Sequence, residues 1–89
     1  MHDEQILRER ARAAIRTGKL PARTPDRTWG GPGVGAECRI CGERVRASEM
    51  EFEIQFAHDG DLDKYHLHIR CFAAWEFERS PSGGDTPPA

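Results

Sequence analysis

The chain has 89 residues, 37% hydrophobic and 31% charged, with a formal net charge of −2. That suffices for one small domain, and domains of this size usually need a disulfide, a metal or a partner to complete a thin core. Three cysteines exclude a fully paired disulfide framework within one chain, and no basic start leads into an apolar run of signal-peptide or membrane-span length. The expected compartment is therefore the cytoplasm, where thiols stay free for metal or redox chemistry.

Residues 1–18 predict an amphipathic helix. Ile6, Leu7, Ala11, Ala14 and Ile15 recur at helical spacing, with arginines and Glu9 on the opposite side. Asp3 suits an N-cap, and Gly18 stands where a helix end favours a left-handed residue. A helix this short is marginal alone, so its apolar stripe needs something to pack against. Residues 1–30 carry seven Lys/Arg against four acids, a net of +3, and residues 31–89 six against eleven, a net of −5. Arg8, Arg12 and Arg16 line one side of the helix and are candidate partner contacts.

Residues 19–36 break every period with Pro21, Pro25 and the run Trp29-Gly30-Gly31-Pro32-Gly33. They predict an irregular segment. Trp29 is unusual for a spacer and has two readings: an anchor packed on the body, or an exposed partner contact.

Residues 37–79 predict a zinc-binding domain. Cys38-Arg39-Ile40-Cys41-Gly42 has the form of a metal knuckle, in which glycine permits the tight turn. Met50, Phe52, Ile54 and Phe56 alternate with Glu49, Glu51, Glu53 and Gln55, predicting a half-buried strand with an acidic outer face. Asp59-Gly60 marks a turn, and Tyr65, Leu67 and Ile69 predict the return strand of a hairpin. Residues 70–79 read as a helix with Phe72, Trp75 and Phe77 on its apolar side. The Pro/Gly/Ser-rich residues 80–89 read as a disordered tail.

The chemistry lies in C-x2-C followed, after 26 residues, by H-x2-C. Zinc takes four soft or borderline donors at tetrahedral corners, and a chain supplies them economically as two close pairs. Cys38, Cys41, His68 and Cys71 fit that scheme and use every cysteine. His66 is the alternative ligand, or a group behind the ligands. A thioredoxin-type reading of C-x2-C lacks its βαβ setting. Asp59, Asp61 and Asp63 resemble a calcium loop only until Lys64 stands where glycine is required. Four protein donors close the coordination shell, which points to a structural metal and away from an enzyme.

Residues 38–75, with Tyr65-His66-x-His68-x-x-Cys71-Phe72, resemble zinc fingers of the poly(ADP-ribose) polymerase type, which recognise DNA ends. The ligand pattern is shared with half-LIM and other treble-clef-like fingers. This chain departs from the DNA-binding pattern in its acids Glu49, Glu51 and Glu53, which would face phosphate badly. The string Pro25-Asp26-Arg27-Thr28-Trp29-Gly30-Gly31-Pro32-Gly33, taken with the finger and Ala73-Ala74-Trp75-Glu76-Phe77-Glu78-Arg79, resembles a group of short proteobacterial zinc-binding proteins. That likeness implies no mechanism. The expected fold is small α+β, with a zinc-stabilised antiparallel sheet, a closing C-terminal helix and an N-terminal amphipathic helix. The expected function is a non-catalytic zinc module for protein interaction, with nucleic-acid binding through the Arg-rich helix as the alternative. No membrane or small-molecule partner is expected.

Overall fold

A computed structural model describes residues 3–79; the tail at 80–89 lies outside the described residues. The element order is α1 (Glu4–Arg16), β1 (Arg27–Pro32), β2 (Met50–His58), β3 (Asp61–His68) and α2 (Ile69–Arg79). The expected small α+β architecture is what the chain adopts, as a three-stranded antiparallel sheet in the order β1-β2-β3 with two helices. None of the described helices is long and apolar enough to cross a membrane.

Helix α1 starts where Asp3 Oδ1 accepts the Ile6 amide at 2.9 Å, and ends at Gly18, whose φ of +83° is open to glycine at little cost. Its stripe of Leu7, Ala11 and Ala14 is buried and packs on α2. Arg10 also reaches the Cys41 carbonyl at 3.2 Å, so the first helix is tied to the knuckle. Between strands β2 and β3, Asp59 and Gly60 both have positive φ, 47° and 83°. That is the two-residue turn whose twist matches a hairpin.

Helix α2 lays Trp75 against the sheet. The indole is fully buried, meets Phe56 edge-on at 6.2 Å, and donates from Nε1 to the Pro21 carbonyl at 3.0 Å. Truncating a buried indole costs about 3–5 kcal/mol, so this residue anchors the core. Phe77, expected on the apolar side, is instead 56% exposed, with the Arg8 guanidinium 4.0 Å above its ring.

Several expectations need correction. Residues 27–32, read as irregular, form β1 and pair in register from Arg27↔Gln55 to Pro32↔Met50. An edge strand bonds on one side only, so Pro32 is tolerated at its end. Trp29 does not anchor the body: it stands across from Glu53 and is 55% exposed. The acidic face of β2 is not open to solvent either. Glu51 and Gln55 are buried, while Met50, expected inside, is 54% exposed.

Candidate metal centre

The knuckle forms where the chain doubles back between Glu37 and Arg44. The Cys38 amide donates to the Glu43 carbonyl at 2.8 Å, and the Gly42 amide to the Cys38 carbonyl at 3.0 Å. Gly42 makes this turn with φ of +81°. Cys38 bridges to β3 at His66, and the Arg39 amide donates to the His66 carbonyl at 2.9 Å. The knuckle is thus held beside the end of β3, where His68 closes the strand and Cys71 lies in the first turn of α2.

One donor atom from each of Cys38, Cys41, His68 and Cys71 lies within 4.8 Å of the others. Cys38 and Cys71 are buried, and Cys41 and His68 half-buried. The His68 ring presents Nδ1 to Cys41 Sγ at 3.4 Å and Nε2 to Glu49 Oε1 at 3.5 Å. Glu49 is itself held by the Arg46 amide at 2.8 Å. A carboxylate behind a ligand imidazole fixes its tautomer and raises its basicity.

The titration of the cluster reflects its crowding. A hydrogen bond from Cys71, partly opposed by burial, holds the Cys38 thiol down at about 4. The same hydrogen bond, then burial and the charges of Cys38 and Cys41, pushes Cys71 up. Cys41 is raised first by its own burial. Burial pulls His68 down, but its hydrogen bond to Cys38 and the charges of Cys38 and Glu49 carry it up on balance. Three sulfurs this close cannot all ionise against one another; a divalent cation among them removes the obstacle. The donor set therefore fits a metal ion, and four protein donors complete a tetrahedral shell.

His66 is not drawn into this cluster. Its Nδ1 lies 3.0 Å from Glu51 Oε2, on the sheet face shared with Glu53. Of the helix arginines, Arg8 pairs with Glu4 at 2.9 Å and Arg12 with Glu78 at 3.2 Å, while Arg16 is exposed. Glu49 and Glu51 are the side chains whose settings sequence reasoning missed. The H-x2-C spacing could have pointed to an acid behind His68, but not to which one.

The fold and site define a small α+β domain with a Cys3His cluster able to hold a metal ion. Compared with protein-family models, with curated proteins and with solved structures, the chain matches none. The likeness to polymerase-type fingers therefore rests on ligand spacing.

Proposed function

We propose that the protein is a non-catalytic module folded around one structural zinc ion held by Cys38, Cys41, His68 and Cys71, and that it acts by binding another protein. The observation that carries the reading is the closed donor set, four protein atoms within 4.8 Å with three of them sulfur. Thiolate-rich tetrahedral sets select zinc among the common divalent ions, and a filled shell leaves no position for substrate or water. The zinc ties the knuckle to the β3–α2 junction in a domain whose core is small. Exposed Trp29, Met50 and Phe77 supply apolar contact area of the kind partners use.

Nucleic-acid binding through Arg8, Arg12 and Arg16 has less support, because Arg8 and Arg12 already pair with Glu4 and Glu78. At most weak binding with a shallow salt dependence, a log–log slope of about −3, is expected, near the non-specific range of roughly 10⁻⁴ to 10⁻⁶ M at physiological salt. Nanomolar binding to nicked or single-stranded DNA that survives such salt would replace the protein-partner reading. The structural role is tested by chelation followed by circular dichroism. Stripping the metal should collapse the secondary structure, and a chain that keeps its fold and dispersed amide spectrum without metal would refute the role.

A further inference from the structure

Strand β2 buries one of the acids on its outer face. Glu51 is 5% exposed. Its Oε2 faces His66 Nδ1 at 3.0 Å, and its Oε1 is buried without a hydrogen-bond partner among the described residues. Glu53 stands directly across from His66 on the same face. One oxygen from each carboxylate and one ring nitrogen of His66 lie within 4.8 Å of one another. Gln55, itself buried, donates from Nε2 to Glu53 Oε2 at 2.7 Å and fixes that carboxylate.

We propose that Glu51, Glu53 and His66 form a second divalent-cation site, distinct from the thiolate cluster, for a first-row ion of the hard-to-borderline class. A doubly charged ion among these three groups balances both carboxylates and gives the buried Oε1 a partner, which the protein groups around it do not. Metal bonds of about 2.0–2.2 Å place neighbouring ligand atoms about 3–3.5 Å apart, which matches the Oε2–Nδ1 separation. Two carboxylates and one imidazole suit Mn²⁺, Fe²⁺, Co²⁺ or Zn²⁺, and the Gln55 hydrogen bond is the outer support such ligands use. With three protein ligands and no sulfur, the set leaves coordination positions for water and binds more weakly than the thiolate cluster. It therefore fills second and exchanges.

The test uses the full chain already holding one zinc, titrated with Mn²⁺, which does not displace zinc from thiolates. One further equivalent should bind, broadening the NMR signals of Glu51, Glu53 and His66 and quenching Trp29, which stands across from Glu53. Glu53→Gln should weaken this binding at least tenfold and leave the first zinc in place. Trp29→Phe should remove the quenching and keep the binding. No selective broadening up to millimolar Mn²⁺, broadening confined to Asp59, Asp61 and Asp63, or binding unchanged by Glu53→Gln would each overturn the proposal. Broadening in the unsubstituted chain decides the matter even if a variant misfolds. Loss of the thiolate reading would show separately, as absence of the first zinc.

Discussion

The two histidines on β3 separate cleanly by substitution. His68 points Nδ1 at the sulfurs, whereas His66 points Nδ1 at Glu51. Structural zinc in small modules contributes about 10–16 kcal/mol, so one ligand of four accounts for about 3–4 kcal/mol. His68→Ala should therefore weaken zinc binding about 100- to 1,000-fold. His66→Ala should leave the first zinc within a few-fold, but it is not innocuous, although from sequence alone it reads as a mild change. It strips Oε2 of Glu51 of its partner in a carboxylate whose Oε1 already has none among the described residues. Leaving a buried acceptor unsatisfied costs about 1–3 kcal/mol. Adding Glu51→Gln should recover part of that loss, giving a coupling of about 0.5–3 kcal/mol between the two sites. Competition with a chromophoric chelator measures the first quantity, and denaturant unfolding in excess zinc the second. If His66→Ala lowers zinc affinity as much as His68→Ala, the ligand assignment is wrong.

Three further outcomes follow from the same geometry. Glu49→Gln keeps an acceptor for the Arg46 amide but removes the charge facing His68 Nε2, so zinc affinity should drop about tenfold; chelator competition that finds no change would remove Glu49 from the metal's support. Gly33 packs so closely that an added Cβ would collide with the backbone oxygens of Val45 and Arg46; Gly33→Ala should cost about 1–3 kcal/mol in urea unfolding, whereas Gly31→Ala, with open space around it, should be nearly neutral. Cys38 is ionised near neutral pH while Cys41 and Cys71 are raised and still hold protons. Loading expels those protons and whatever proton His68, itself raised, carries, so affinity rises with pH and falls on acidification, by at least about 100-fold per unit near pH 7. Calorimetry in buffers of different ionisation enthalpy counts them.

The helices, the β2–β3 hairpin and the four-donor cluster were legible because each writes a period or a spacing into the chain. Leu7, Ala11 and Ala14 mark a helical stripe, Ile54 and Phe56 a strand face, and H-x2-C a strand running into a helix. Strand β1 was not legible. Trp29-Gly30-Gly31-Pro32 has no alternation, and its glycines and proline are turn signals when no partner strand is in view. Only the pairing with β2 makes it a strand, and Trp29 remains exposed because none of the described elements covers that edge of the sheet face. Glu51 misled for a different reason. Alternation assigns it to the outer face correctly, but being outward-facing does not mean being solvated. The cross-strand placement of His66 next to Glu53, which lets an acid be buried with a partner, is a matter of register.

If the proposed site is right, Cys38, Cys41, His68 and Cys71 hold one tightly bound zinc ion. Elemental analysis of the folded, dialysed protein, paired with the optical spectrum after cobalt replacement, addresses this directly. One zinc per chain is expected after dialysis, and a cobalt form showing tetrahedral d–d bands with thiolate-to-cobalt charge transfer, both lost in Cys71→Ser. Well under one metal per folded chain, or a cobalt spectrum without sulfur charge transfer, would contradict it.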